Sequence, residues 1–254
     1  MPSISDELTV RDLRRRWKPI KERLNAEQDS HPTAIRIHRA FSWMARVEDM
    51  EDGADLDVAL ICRWVAFNAL YGQWDEEKRE PAPDFASWQR FLGRILELDA
   101  TGQLGNALVE HRNLVMSILD DEYLSRFFWE EPSDVRARKS KKAKYDAQTW
   151  YVEKRWVMIL DRLVERIYLM RCQLMHGAAT FGGKLNRESL GRCSVTLGHL
   201  LQATLLAVID HGADEDYYSW CSGKLLPGKT LRDGATVTPG TARRIQQFSR
   251  RSAE

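Results

Sequence analysis

The chain has 254 residues, of which 43% are hydrophobic and 30% are charged, and its net charge is only +1. These values are typical of a folded globular protein and exclude a disordered chain, and the low net charge argues against a protein that coats nucleic acid through bulk charge. No apolar run approaches the ~20 residues of a membrane span, and the first residues lack the pattern of a secretion signal, so we expect a cytoplasmic protein without a membrane segment.

Hydrophobic residues recur at helical spacing in nearly every segment, and no set of alternating runs bounded by hairpin turns predicts a sheet. In the first half of the chain, the predicted helices cover about 10–25, a stretch from about 33 onwards, 55–71, 85–97, 103–119 and 121–129. Pro19 is expected to kink or split the first of them. The helix over 55–71 is apolar on almost all sides, which predicts the most buried helix of the body, and Gly72 fits its C-terminal end. Residues 73–84 are predicted to be a connector.

The second half of the chain carries the longest helical patterns. Residues 135–145 are polar and basic, and we interpret them as an exposed loop or a frayed helix start. A long helix is predicted over about 146–175, and a last one from Asn186, as its N-cap, to about 210. A short turn containing Gly177 joins these two helices, which we expect to form the heart of the fold. Beyond them, order is expected to decline.

Arg171 stands at a position of the long helix where the pattern predicts a leucine. At heptad spacing it shares one face with Val157, Leu160, Val164, Ile167 and Leu174. A guanidinium retains its charge, so within a packed seam it needs a carboxylate, carbonyls or a phosphate-like anion to compensate its desolvation. A structural ion pair and a phosphate site are both open at this point.

His176 follows Arg171 by five positions, which is about 140° around and ~7.5 Å along an ideal helix. The two side chains therefore converge only if the helix loosens at Gly177 or if a second chain supplies the facing half of the site. A histidine beside a fixed cation suits proton transfer at a ribose hydroxyl and stabilisation of a pentacoordinate phosphate. That chemistry requires no metal.

The segment Arg171–Gly177, near the end of a long helix and followed by a paired helix, resembles the R-x4-6-H motif of the HEPN superfamily of small helical domains. Three other segments resemble an uncharacterised bacterial HEPN branch: Arg36–Trp43, Trp64–Tyr71 and Leu185–Glu188. The resemblance spans about residues 33–212. It implies an all-α, HEPN-like helical bundle with extra N-terminal helices and a flexible C-terminal tail. The expected parts are an N-terminal helical extension (1–30), the helical domain (31–212) and a largely irregular C-terminal extension (213–254).

What the resemblance implies for function is a metal-independent endoribonuclease that acts on RNA without a cofactor, commonly as a homodimer whose two motifs face one another across a cleft. Carried over, Arg171 holds the scissile phosphate and His176 acts as acid or base, giving a 2′,3′-cyclic phosphate and a 5′-hydroxyl. Many such proteins are toxins or antiviral effectors, which implies an antitoxin or another defence-system partner. Others only bind a nucleotide, nucleic acid or partner protein, and a helical scaffold in which Arg171 anchors an ion pair is a third alternative.

The chain departs from the HEPN pattern at Cys172, because the residue after the arginine is usually polar and often Asn. A thiol is a poor hydrogen-bond donor, although Gln173 is placed to take over that role. The residues after His176 also lack the tyrosine of antitoxin-modified members of the superfamily. We therefore do not expect control by nucleotidylation at that position.

Two further helices carry candidate residues. Arg36, Arg39, Trp43 and Arg46 share a helix face, which fits either RNA contact or an ordinary solvated surface. His38 is expected to be a core histidine and is kept as a supporting candidate. Asn68 lies in the nearly all-apolar helix, where an unpaired amide would cost ~1–3 kcal/mol, so it is expected to bond to a neighbouring helix, to the Arg171 region or to substrate.

The densest basic run of the chain includes Arg138, Lys141 and Lys142. Such runs are usually solvated, but beside a ribonuclease site this one would attract phosphates and make binding depend on salt. The four cysteines form no paired motif, so neither disulfides nor a zinc site is expected. Phosphate-loop, zinc-protease and nucleophile-elbow motifs are also missing.

Overall fold

The computed structural model describes residues 8–27, 31–50, 55–75, 77–126, 134–184 and 186–212, apart from the side chains of residues 134–141. Its helices are α1 Val10–Glu27, α2 Pro32–Glu48, α3 Leu56–Tyr71, α4 Asp84–Leu98, α5 Gln103–Glu110, α6 Arg112–Asp120, α7 Asp134–Val152, α8 Trp156–Met175 and α9 Arg187–Ala207. A 3-10 turn covers Glu122–Leu124, and a π-helical turn, Val208–Gly212, extends α9. The described part of the chain is thus all-α, as predicted.

One short antiparallel pair, β1 Trp74–Asp75 and β2 Glu80–Pro81, lies in the segment predicted to be a plain connector. All described elements belong to the unit Met1–Gly223. A second unit, Lys224–Glu254, lies outside the described residues, as does the whole of the predicted C-terminal extension, 213–254. The division at residue 30 stays a prediction.

Local signals account for both ends of α3. The Asp55 carboxylate caps α3 by accepting a hydrogen bond from the Val58 N–H at 3.0 Å, and the Gly72 N–H closes its other end on the Asn68 carbonyl at 2.7 Å. Pro19 does not split α1, which is one continuous helix. Asn186 is the N-cap residue of α9, as predicted, but its side chain does not cap the helix, since the residue has a left-handed backbone (φ +58°) and its amide donates to Gln173.

Two predicted helices are each divided in the structure. The helix over 103–119 is interrupted at His111, between α5 and α6. The helix over 146–175 ends at Val152 and resumes at Trp156, because Lys154 takes a left-handed backbone (φ +53°) and the Arg155 N–H bonds back to the Trp150 carbonyl at 2.8 Å. Of the two alternatives for residues 135–145, the exposed loop is wrong, since α7 begins at Asp134 and runs through them, and helix is the correct one.

The core is built around α3 and α9. No residue of α3 is exposed, and it packs against α2 and α9. The prediction that α3 is the most buried helix is met only in this sense, because α9 has 13 of its 21 residues buried and α3 has 9 of 16. Among the described residues, the segment Arg187–Gly212 is long and apolar enough to cross a membrane. However, 72% of its most apolar stretch is buried inside the protein. This is the pattern of a core helix. The N-terminal helix joins the same core through Leu13 and Trp17.

Candidate functional site

Arg171 lies in the last turn of α8, at the border between the core and solvent. On the same helix Leu160, Val164 and Ile167 are buried, but Val157, at the far end of the predicted face, is 53% exposed. Arg171 itself is half-buried. The expectation of a cation enclosed in a packed seam is therefore wrong, because the apolar face of α8 is covered only in its middle.

Two aromatic rings lie against the Arg171 guanidinium. Its Cζ atom is 5.8 Å from the ring centre of Tyr168 and 6.0 Å from that of Trp64. Attraction to ring faces offsets part of the desolvation of a guanidinium, by roughly 0.5–2 kcal/mol. Within the described residues Arg171 has no ion pair and no carbonyl partner, and its one hydrogen bond is a long contact of 3.9 Å from Nη1 to Sγ of Cys172. Its charge is thus not neutralised by an anion of the described chain.

An aromatic cluster from α3, α4 and α8 holds these rings in place. Trp64, which is 2% exposed, packs edge to face on Trp88 with ring centres 6.0 Å apart. Tyr168 lies 5.6 Å from Trp64 and 5.3 Å from Trp88, again between ring centres. The platform beneath Arg171 is therefore part of the core and is fixed by it.

The pKa values of two phenols near Arg171, those of Tyr71 and Tyr168, are raised, which favours the neutral form of each. Burial, and then the neighbouring Asp84 carboxylate, raise the pKa of Tyr71, whose hydroxyl donates a hydrogen bond to Asp84 Oδ1 at 2.9 Å. Burial, and then the adjacent Cys172, raise the pKa of Tyr168 to about 12. Near neutral pH both groups are therefore hydrogen-bond donors and not bases.

Gln173 is engaged within the chain and is not free to act beside Arg171 as predicted. It is buried, and its Nε2 donates to the Tyr123 carbonyl at 3.2 Å while its Oε1 accepts from Asn186 Nδ2 at 3.5 Å. One end of its amide thus joins α8 to the 3-10 turn, and the other joins α8 to the start of α9. The supporting role predicted for Gln173 is corrected to a structural one, whereas Cys172 is half-buried and borders Arg171.

His176 is the C-cap residue of α8, and its side chain is exposed. The helix ends in a regular closure, in which Gly177 has φ +72° and the Ala178 N–H bonds to the Gln173 carbonyl at 2.9 Å. The helix therefore does not loosen ahead of His176. No contact joins the imidazole to the Arg171 guanidinium among the described residues, so one chain does not bring the predicted pair together.

The buried cation of α8 is Arg166, which the heptad pattern missed. Its side chain is 4% exposed and donates to the Asp121 carbonyl oxygen. The Asp121 carboxylate in turn accepts from the Ser189 hydroxyl and from Arg192 Nη2, the latter at 3.5 Å. Burial lowers the pKa of Arg166 to about 10, which leaves it charged at neutral pH. The sequence signal for this network is an arginine between apolar residues Val164 and Ile167.

The supporting residues on α2 and α3 are not placed as predicted. Arg36, a candidate RNA contact, is 1% exposed and donates from Nη1 to the Leu70 carbonyl at 2.9 Å. His38, expected in the core, is exposed, because the helix turns Ile37 inward beside it. Asn68 is half-buried and its amide has no hydrogen bond among the described residues, so the predicted bond is missing where solvent can replace it.

The remaining basic candidates divide between two helices. Arg39 and Arg46 are exposed on α2, as an RNA contact requires. Lys142 is exposed on α7, while the side chains of Arg138 and Lys141 lie outside the description. Their neighbour Lys144 is already engaged, with Nζ 2.7 Å from Asp120 Oδ2.

In the described part of the chain, no cluster of three or more His, Cys, Asp or Glu residues is arranged to hold a metal ion. Comparison of the chain with known protein families, with curated proteins and with solved structures found no match. The class defined by the fold and the site is thus an all-α protein with a half-exposed arginine on an aromatic platform at a helix end.

Proposed function

We propose that this chain is a metal-independent endoribonuclease of the HEPN type, with Arg171 binding the scissile phosphate and His176 transferring the proton. The observation that carries the proposal is the state of Arg171: its guanidinium is half-buried on Trp64 and Tyr168, and no carboxylate of the described residues neutralises it. A guanidinium in such a place binds a phosphate with two parallel hydrogen bonds. The sequence resemblance supplies the reaction.

The reaction is an internal transesterification in which atoms and protons balance. The ribose 2′-oxygen attacks phosphorus as its proton passes to a neutral His176 imidazole. The bond from phosphorus to the 5′-oxygen then breaks, and this oxygen takes a proton from a protonated His176 of a second copy. The products are a 2′,3′-cyclic phosphate and a 5′-hydroxyl, and Arg171 offsets the charge on the pentacoordinate phosphate.

A homodimer is part of the proposal because a single chain leaves Arg171 and His176 apart. Exposed apolar side chains adjoin the motif: Met175 is 51% exposed and Phe181 is 72% exposed. Apolar groups of this kind beside a polar site are typical of the core of a protein interface. Replacing both with glutamate is expected to lower dimer formation, read by analytical ultracentrifugation, and cleavage together.

The competing candidate is a non-catalytic HEPN module that binds a nucleotide, nucleic acid or a partner protein. Cys172 favours it, because the thiol beside Arg171 offers a weak donor where the motif usually has a polar group. In this alternative the Arg171 platform still binds an anion, but no bond is broken.

Cleavage of labelled RNA in EDTA by the full chain, by Arg171→Ala and by His176→Ala separates these readings. Arg16→Ala is the matched control, since Arg16 is exposed and its side chain has no hydrogen bond or ion pair among the described residues. Cleavage that survives chelation, yields cyclic phosphate ends, fails on a 2′-deoxy substrate and disappears in both site variants supports the ribonuclease. Binding without cleavage, lost in Arg171→Ala, supports the module instead. Cleavage that persists in either variant contradicts the proposed mechanism.

The cellular role proposed with this activity is that of a cytoplasmic toxin or antiviral effector held in check by an antitoxin or another defence-system protein. It rests on the resemblance to the HEPN superfamily. Co-expression with a neighbouring gene product tests it. Cells that express the parent chain are expected to need this product for growth, and cells that express His176→Ala are expected to grow without it.

A further inference from the structure

Helix α2 has two different faces. The inner face, which includes Ile37, Ala40 and Phe41, is buried in the core. The α2 outer face consists of exposed side chains on adjacent turns: His38, Arg39, Ser42, Trp43 and Arg46. It combines two guanidinium groups with a large ring that is 39% exposed, that of Trp43.

None of the three principal groups of the α2 outer face has an internal partner. The side chains of Arg39, Trp43 and Arg46 form no hydrogen bond, ion pair or ring contact with any described residue, and the Ser42 hydroxyl donates only to the backbone carbonyl of Arg39. Other exposed arginines differ in this respect: Arg155 pairs with Glu153 at 3.5 Å, whereas Arg11 and Arg16 of α1 have no partner among the described residues. The described chain therefore supplies no interaction partner for these two guanidinium groups or for the exposed indole.

The spacing of the three groups matches one class of ligand. Trp43 is four residues after Arg39 and three before Arg46, so the cations lie on either side of the indole and about 10 Å apart along the helix axis. A guanidinium pairs with phosphate through two hydrogen bonds, and an indole stacks on a nucleobase of any identity. A single strand presents both groups in alternation, with its bases unpaired.

We propose that the α2 outer face binds single-stranded nucleic acid, with a base stacked on Trp43 and phosphates held by Arg39 and Arg46. The assignment of RNA as that strand rests on the proposed function. A protein partner is disfavoured by the composition of the surface, because the apolar neighbours Met44 and Ala45 are half-buried and leave the indole alone among cations and polar groups.

The test measures binding of the full chain to strands that a 2′-hydroxyl mechanism cannot cut. Fluorescence anisotropy with a labelled 12-nucleotide DNA and its 2′-O-methyl RNA counterpart is followed over a range of NaCl concentrations. The variants are Trp43→Ala, Trp43→Phe and Arg39→Gln with Arg46→Gln. The matched control is Arg11→Gln with Arg16→Gln, which removes the same charge from exposed, unpartnered positions of α1.

Trp43→Ala is expected to weaken binding by about 5- to 100-fold, whereas Trp43→Phe stays within about threefold of the parent, because loss of one stacked base has an effect of that size. The double arginine variant is expected to lower the slope of log affinity against log salt by about 1.4, or ~0.7 for each phosphate contact. The α1 control keeps the parental slope. Circular dichroism checks folding, and the double arginine variant carries the test if Trp43→Ala unfolds.

Equal binding by Trp43→Ala and the parent overturns the proposal, as does an equal loss in the α1 control. Retention on vesicles with one quarter phosphatidylserine, lost in Trp43→Ala while neither strand binds, would assign the surface to membranes and also overturn it. The two proposals fail separately. Cleavage that does not depend on Arg171 and His176 contradicts the proposed ribonuclease but leaves the Trp43 binding surface in place. Absence of Trp43-dependent binding contradicts the binding surface but leaves the proposed ribonuclease in place.

Discussion

The guanidinium carbon of Arg171 lies 5.8 Å from the ring centre of Tyr168, one helical turn earlier on α8. Because the same ring packs on Trp64 and Trp88, the position of the cation is tied to the core. The placement of Arg171 therefore depends on the aromatic ring and not on an acidic partner.

Replacing Tyr168 tests this dependence. Tyr168→Phe keeps the ring and is expected to change cleavage less than twofold and the free energy of unfolding by less than about 1 kcal/mol. Tyr168→Ala is expected to cost ~2–3 kcal/mol, less than full burial of an aromatic would imply because the residue is half-buried, and to lower cleavage at least tenfold. Urea unfolding and initial cleavage rates measure the two effects. Unchanged cleavage in Tyr168→Ala would show that the ring does not position Arg171.

Arg36 is a buried cation whose removal is expected to depend on the shape of its replacement. It is 1% exposed, and its Nε and Nη2 atoms have no hydrogen-bond partner among the described residues. Arg36→Met retains most of the volume, and relief from desolvation offsets loss of the bond to the Leu70 carbonyl, so stability is expected to change by less than about 1 kcal/mol. Arg36→Ala leaves a cavity and is expected to cost ~2–4 kcal/mol. If urea unfolding shows equal losses of stability in Arg36→Met and Arg36→Ala, the buried charge is instead stabilised by an anion.

Asp57 anchors the segment that follows His176. Its side chain is 6% exposed, forms an ion pair with Arg187 and accepts a hydrogen bond from the Gly182 N–H at 3.2 Å. Asp57→Ala removes a buried carboxylate together with its bonds to Arg187 and Gly182, and is expected to cost ~2–3 kcal/mol and to speed hydrogen exchange over residues 178–184.

The control for Asp57 is Glu188→Ala. Glu188 pairs with Arg192 but is 84% exposed, so its loss is expected to cost less than about 0.5 kcal/mol and to leave exchange over residues 178–184 unchanged. Comparable losses of stability in the two variants would mean that burial does not distinguish these ion pairs.

Buried phenols are expected to lower stability in alkali. Burial raises the pKa of Tyr151 to about 12, and its hydroxyl donates to the Leu108 carbonyl at 2.9 Å. The folded state therefore holds this proton more tightly than the unfolded state, so the contribution is full below about pH 10 and is lost as the pH rises toward 12. Tyr168 acts in the same direction, by a smaller amount because it is half-buried.

Urea unfolding between pH 8 and pH 11 measures this effect. Near pH 11 the slope from Tyr151 is expected to approach, and not to exceed, about 1.4 kcal/mol per pH unit. Tyr151→Phe removes that part of the slope, although it also removes a hydrogen bond at all pH values. A parental slope in Tyr151→Phe would assign the alkaline loss to other groups.

Features set by neighbouring residues were predicted well, and features set by distant ones were not. The predicted bounds of the helix over 55–71 are correct within a residue, because the Asp55 side chain and the Gly72 N–H close its two ends through local hydrogen bonds. The break at Lys154 was missed, because neither glycine nor proline marks it and the left-handed backbone belongs to a non-glycine residue. Arg36 was predicted to be exposed and is buried, since the carbonyl it reaches, that of Leu70, comes from another helix.

The amino-acid sequence by itself determined the helical class and put Arg171 in the last turn of a helix with His176 at its end, because periodicity and capping depend on residues within a few positions of one another. Only the tertiary structure decided which arginine is enclosed. Arg166 is buried, whereas Arg171 is half-exposed on the ring of Trp64, which lies more than a hundred residues away in the chain. Burial and cation–ring contact depend on how distant helices pack, and helical spacing within α8 does not contain that information.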